Sequence, residues 1–402
     1  MKAKSVFPCL LFLVTVLSFL QVQSSQAVPA FARREGSSCS KMCHFRLPEL
    51  NEDGHAYIRR GLREERAGMA AQMGMDMGTK EAAKTPAAST VRPLGEPLPL
   101  DWRDYLTVMG HHTYEARDHA QGKFHSGMID GWIGGPLDQR WSGVANFAID
   151  IEAGGVDVEQ AYAQFNTSWS PRFACLRFGQ LLPFAVLFNG GGAAMPLSTP
   201  VVLETPSRAR NPWVPATLLR GVEIGAVDLP RWNAYVGAGQ PQIDDVVGAG
   251  HTDVYASAEY LVGEKGAFSA FGYKGEIAAS PGQPSIDYGR VALFANAYVP
   301  RMKAVAGFLW GRDKPTGEES LDTAGGFLLG EVLLAERVAG YARYEYATRD
   351  ASIGDAETTD GPTIGVSFWA QTQVRFTLES QFLKSTGLSR DRSAIAELMW
   401  AF

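Results

Sequence analysis

Cysteine is scarce: the chain has four in 402 residues. Cys9 lies in an N-terminal apolar run and Cys175 stands alone. That excludes the disulfide framework that staples small exported domains. Long hydrophobic runs are also lacking. Beyond residue 27, no stretch reaches the roughly 18 apolar residues expected of a spanning helix. Positive charge is not in excess, since 37 Lys and Arg face 43 Asp and Glu for a net charge of −6. No nucleic-acid partner is expected from that balance. A nucleotide loop is excluded too, because Gly237-Ala238-Gly239 has no strand–turn–helix context. Glycine and aromatics are plentiful, at 43 residues and 11%. That pairing fits an all-β chain of many short strands around a wet interior.

The chain divides into four zones. Residues 1–27 read as a secretory signal: Lys2 and Lys4, an apolar run from Val6 to Leu20, then Ser25-Gln26-Ala27 as a small-x-small cleavage site. Residues 28–66 are compact and carry a close cysteine pair. Residues 67–100, rich in Met, Ala, Thr and Pro, read as a linker. Residues 101–402 alternate with period two.

In the fourth zone Val291, Leu293, Ala295, Ala297 and Val299 form one face of a segment. Val254, Ala256, Ala258 and Tyr260 form another, and Val374, Phe376 and Leu378 a third. A soluble sandwich also alternates. Three details point instead to a membrane barrel. The segments are about ten residues long with aromatic ends, as tilted spanning strands require. Tight turns, such as Thr372-Gln373, alternate with longer polar loops at 311–321 and 350–361. The last segment carries Ala394, Ala396, Leu398, Trp400 and Phe402 on one face, which resembles the assembly signal of bacterial outer-membrane barrels. At roughly 18–20 residues per strand and connection, the zone accommodates about 16 antiparallel strands. The expected location is the bacterial outer membrane, in contact with its lipid. Residues 184–215, rich in Gly and Pro, are expected to fold inward and constrict the pore.

The motif that carries chemistry is Cys39-Ser40-Lys41-Met42-Cys43-His44. Two close cysteines followed at once by histidine are the attachment pattern of c-type haem, thiols adding to the vinyl groups and His44 ligating the iron. Here three residues separate the cysteines instead of two, so one must bulge. A disulfide would close a trivially small loop. Zinc lacks a second ligand pair nearby, and a redox dithiol lacks its βαβ surroundings. The sixth iron ligand has several candidates. Met69, Met73, Met75 and Met77 lie in the linker, His55 lies eleven residues past His44, and His111 and His112 begin the barrel zone.

With Pro29-Ala30-Phe31-Ala32-Arg33 before the cysteines and Pro48-Glu49-Leu50-Asn51 with Gly54 after them, the run resembles the N-terminus of fused outer-membrane cytochrome–porins. The resemblance covers about 30 residues and otherwise only the architecture. It implies one covalent haem c on Cys39, Cys43 and His44, and a haem segment preceding a 16-stranded porin. It further implies Fe(II) as extracellular electron donor, with Fe(II) oxidation as the activity of the iron-oxidising members. The haem segment is expected in the barrel lumen. Electrons are expected to pass to a periplasmic c-type cytochrome or copper protein. The competing expectation is a diffusion porin gated by its N-terminal segment, without a redox role.

Overall fold

The computed structural model describes residues 44–46, 49–50, 52–60, 62, 106–117, 120–137, 140–151, 154–167, 173–189, 195–204, 211–229, 231–242, 251–279, 284–350, 356–371, 373–386 and 391–401. Cys39, Cys43, Met69, Met73, Met75 and Met77, the signal and the linker lie outside the described residues.

The N-terminal piece is a small hairpin, β1 (His44–Arg46) and β2 (Glu49–Leu50), followed by helix α1 (Glu52–Arg59). The barrel strands follow in order: β3 (Leu106–Arg117), β4 (Ala120–Pro136), β5 (Trp141–Asp150), β6 (Gly155–Asn166), β7 (Phe173–Leu181), β8 (Leu219–Leu229), β9 (Trp232–Pro241), β10 (Asp253–Leu261), β11 (Gly266–Ile277), β12 (Ile286–Val299), β13 (Met302–Pro315), β14 (Leu321–Ala335), β15 (Val338–Arg349), β16 (Glu357–Gln371), β17 (Val374–Ser385) and β18 (Asp391–Ala401). Each pairs antiparallel with its sequence neighbours. β18 closes on β3 from Ser393 opposite Arg117 to Ala401 opposite Met109, giving a closed barrel of sixteen strands.

The alternation decides which face meets lipid. Along β12 every second residue is buried, and the intervening Val291, Leu293 and Val299 are exposed. Phe268, Phe308, Leu328, Ile364 and Phe368 are likewise exposed on their strands. A run of large apolar side chains facing outward from a closed barrel is the belt that a bilayer covers. The buried set is polar as often as apolar: Arg290, Lys303, Asp313, Glu331, Arg343 and Glu379 all point inward.

The longest connections all lie at one end, although β3–β4 at that end is a two-residue turn and β6–β7 at the other spans six residues. β8–β9, β12–β13, β14–β15 and β16–β17 are joined by two-residue turns at this other end. At the first lie the longer connections β9–β10, β11–β12 and β15–β16, together with the stretch between β7 and β8. Short turns face the periplasm and long loops the exterior in barrels of this kind. α1 precedes β3 at the short-turn end. Two of the sequence expectations need correction. The loop expected at 311–321 shrinks to 316–320, because β13 runs on to Pro315 and β14 starts at Leu321. The strand ends are held by the Arg312–Asp322 ion pair at 2.6 Å and by Arg290–Asp313 at 2.9 Å. The loop expected at 350–361 likewise ends early, since β16 begins at Glu357, which Arg349 of β15 pairs at 2.9 Å.

Candidate functional site

The stretch between β7 and β8 turns into the barrel. It contains two short helices, α2 (Phe184–Asn189) and α3 (Val201–Glu204). α2 is apolar almost throughout, and Phe184, Val186 and Phe188 are buried. Polar anchors fix the stretch to one wall. Asn189 donates to Ser269 of β11 and accepts from Asn296 of β12. Asn211 donates to Asp313 at 2.8 Å. The Val201 backbone N–H donates to Glu345 at 2.6 Å, and Ser198 donates to Glu379 at 2.5 Å. Leu182, Val186, Met195, Val202 and Trp213 join the lumen faces of β10–β15 in one apolar cluster. The sequence expectation of an inward, constricting loop at 184–215 therefore holds for its described residues.

α1 meets this loop from the opposite end. Arg59 pairs with Glu259 of β10 at 2.6 Å, the side chains 2% and 6% exposed. The Arg59 carbonyl accepts from Gln164 of β6 at 2.7 Å. The His55 ring stacks on Phe188 of α2, with centroids 4.4 Å apart, and meets Tyr298 of β12 edge-on at 6.2 Å. The Arg59 guanidinium lies 4.8 Å over Phe188. Leu62 ends the turn after α1 in the left-handed region, at φ 60, conformationally costly for a branched residue. It is buried where Gly134 of β4 leaves room for it. All five barrel partners lie on the short-turn half of their strands or in the loop that reaches it. The lumen is thus occupied by α1 from the short-turn end and by α2 from the long-loop end, stacked at His55 and Phe188.

Beneath α2 lies a buried charge pair. Arg177 of β7 bonds Glu223 of β8 at 2.5 Å, both side chains 0% exposed, with its guanidinium 3.4 Å over the Phe184 ring. Tyr255 donates to the other oxygen of Glu223 at 2.8 Å. Cys175 packs here as a free thiol with Phe184 and Phe188, the packing role its strand position suggests.

The expected site residues fall in different places. His44 is in β1, ahead of α1. His55 is wholly buried in the stack just described. His111 of β3 faces the lumen away from the loop. Its Nε2 is 3.1 Å from Asp130 of β4 and its Nδ1 3.1 Å from Glu397 of β18. His112 follows it on the other face of β3, beside Gly127. The structure brings His55 and His111 into the same lumen but not to the same wall. α1 was legible only as a cytochrome-like flank. Its Arg59–Glu259 partnership spans 200 positions and carries no local signal.

No family description matches the chain, and no curated protein matches it. Solved structures do. An anion-selective porin from Comamonas acidovorans superposes with a TM-score of 0.60 at 12% identity, over 74% of this chain and 98% of that one. A loop-deletion form of OmpT, an outer membrane protein of Vibrio cholerae, gives 0.59 at 12% identity, over 74% and 98%. OmpF of Salmonella typhi in complex with daunomycin gives 0.57 at 10%, over 74% and 97%. The closed barrel, its apolar outer belt and these neighbours together make the chain a sixteen-stranded porin-fold protein of the bacterial outer membrane.

Proposed function

We propose that the chain is an outer-membrane electron-transfer porin. One covalent haem c on Cys39 and Cys43, with His44 as proximal ligand, would serve an extracellular donor, Fe(II), and a periplasmic c-type cytochrome or copper protein. One observation carries the reading. The Cys-x-x-x-Cys-His run ends at His44, eight residues before α1 begins at Glu52, and α1 is anchored inside the barrel by Arg59, His55 and Leu62. A haem on that run would be held close to α1, toward the short-turn end of the barrel.

The donor set fits the group: two thiols and an adjacent imidazole are what c-type attachment uses. When bound, the haem supplies one-electron chemistry, with a potential set by its axial ligands and burial. The chain's own residues do the rest. Arg59 and Glu259 fix the height of α1, and the stacked His55–Phe188 rings join α1 to the inward loop. Arg177 and Glu223 hold α2 against the wall. The Met stretch, Met69, Met73, Met75 and Met77, is the favoured source of the sixth ligand. His55 is stacked on Phe188, His111 is held by two carboxylates, and His112 sits on the opposite face of its strand.

Haem staining of the full-length protein after denaturing electrophoresis tests the reading. A stained band that is lost in Cys39→Ala/Cys43→Ala is expected. A folded barrel without covalent haem, made in cells that mature c-type cytochromes, overturns it. One observation favours the second reading, a gated diffusion porin: among the described residues, the lumen-facing His111, Thr113 and Glu115 of β3 stay partly exposed.

A further inference from the structure

A water-filled barrel lines its lumen with polar side chains, yet one wall here carries rings. Four neighbouring strands each place a buried tyrosine on it: Tyr235 of β9, Tyr255 of β10, Tyr273 of β11 and Tyr288 of β12. Register sets them in a diagonal row. Tyr255 lies directly opposite Tyr273. Tyr235 is opposite Ser257, two residues from Tyr255, and Tyr288 is opposite Gly275, two residues from Tyr273. Aromatic side chains reach one another at such diagonals. Tyr273 is the hub of the outer half, with centroids 6.4 Å from Tyr255, 6.0 Å from Tyr288 and 4.5 Å from Trp213 of the inward loop. Toward α1, Tyr235 meets Phe184 at 5.3 Å, Phe184 stacks on Phe188 at 5.2 Å, and Phe188 stacks on His55. A second link runs beside it through the buried charge pair, from Phe184 to Arg177, Glu223 and Tyr255. Rings thus follow one another from the long-loop end to α1. On β12, Tyr288 and Tyr298, the edge-on neighbour of His55, stand ten residues apart, about 33 Å of strand and about 25 Å along the axis at a tilt of roughly 40°. That is the height of an outer-membrane apolar band.

Three of these phenols carry what one-electron oxidation needs, a bonded acceptor for the proton. Tyr255 donates to Glu223 at 2.8 Å, and Tyr273 and Tyr288 donate to Asp253 at 2.6 and 2.5 Å. We propose that this row relays electrons along the barrel from the long-loop end to α1. The inference rests on the electron-transfer reading above and supplies its route, since one haem close to α1 leaves most of the membrane to be crossed. With ferric haem as the one-electron oxidant, the row gives up one electron at its α1 end. The vacancy then rests on Tyr255, Tyr273 or Tyr288. There the O–H bond breaks, the proton shifts along its hydrogen bond to Glu223 or Asp253, and a neutral phenoxyl radical is left. An electron from the next phenol outward fills the vacancy and the proton returns. At the long-loop end Fe(II) fills the last vacancy and leaves as Fe(III). One electron crosses per turnover and no proton does. Oxidising a phenol is uphill from haem iron, and handing the proton to a bonded carboxylate lowers that climb by avoiding a buried radical cation.

Flash oxidation tests the row without haem. A ruthenium tris-bipyridine photo-oxidant is attached at Cys43 of the full-length Cys39→Ala protein, in the place of the haem, and the protein is sealed into liposomes. Paramagnetic resonance after the flash should show a tyrosyl radical. Tyr255→Phe keeps the ring but removes the phenol, and should lower the radical yield about tenfold. Tyr341→Phe is the matched control: Tyr341 is a buried phenol on β15 that donates to Glu379 at 2.9 Å, outside the row, and its loss should leave the yield unchanged. Fe(II) added outside should quench the radical, about tenfold more slowly in Tyr273→Phe/Tyr288→Phe, which lacks the outer phenols. Heat-modifiable gel mobility shows which variants retain the closed barrel, and the Tyr273→Phe/Tyr288→Phe quenching serves if Tyr255→Phe does not fold. No radical in the unsubstituted row, an equal yield in Tyr255→Phe, an equal loss in Tyr341→Phe, or equal quenching without the outer phenols overturns the proposal. A native protein without covalent haem overturns the electron-transfer reading instead, because the flash needs none.

Discussion

Replacing Arg59 with Met should unseat α1 from the lumen. The Arg59–Glu259 pair is 2.6 Å long and its side chains are 2% and 6% exposed, so solvent screening is small. Removing one partner of such a pair strands the other charge in a dry setting, at a cost of about 3–5 kcal/mol. The same substitution removes the guanidinium from over Phe188 but spares the Gln164 bond, which goes to the Arg59 backbone. Taking the lower figure, about 3 kcal/mol shifts the docked-to-undocked ratio roughly 150-fold. A helix docked nearly all the time in the native protein would then be released for an appreciable fraction of it. In planar bilayers the native protein should rest mainly in a low-conductance level. Arg59→Met should add frequent visits to a higher level. Glu259→Gln should do the same to a lesser degree: it strands the Arg59 guanidinium, but the amide oxygen can still accept a hydrogen bond from it. The double variant should fall short of the sum of the singles, because they break one interaction. Indistinguishable traces for native protein and Arg59→Met, with the barrel intact by gel mobility, would refute the reasoning.

The remaining predictions concern the barrel itself. Arg177→Met should cost about 3–5 kcal/mol by leaving Glu223 unpaired in a fully buried setting. Arg177→Met/Glu223→Gln should recover part of that, measured as the temperature at which the heat-modifiable band shifts. Gly221→Ala should destabilise by about 1–3 kcal/mol, because a methyl there meets the Ala238 backbone oxygen, which cannot swing aside. The readout is the urea midpoint of the same band shift. Phe188→Ala should remove the ring that His55 and Arg59 share, and so raise the open fraction as Arg59→Met does while leaving the band-shift temperature less affected.

Much of the barrel was legible because its signal is local. A strand that is apolar toward lipid and polar toward water alternates within ten residues. Val291, Leu293 and Val299 turned outward as their spacing implied. The inward course of 184–215 was legible from its broken alternation and its glycines and prolines. Strand ends were not. Arg312 and Asp313 read as loop residues by polarity, yet ion pairs to Asp322 and Arg290 keep them in β13. Polarity marks solvent, and in this fold solvent also lies inside. The lodging of α1 was illegible in detail, because its partners Gln164, Glu259 and Tyr298 come from strands far along the chain.

The central claim is that electrons cross the membrane through this chain. The most direct measurement uses the haem-bearing full-length protein reconstituted in sealed liposomes. Fe(II) is added outside and an oxidised c-type cytochrome is entrapped inside. The account predicts reduction of the entrapped cytochrome above that in protein-free liposomes, and its loss in the Cys39→Ala/Cys43→Ala protein. Haem-loaded, correctly folded barrels that reduce the entrapped cytochrome no faster than empty liposomes would contradict it.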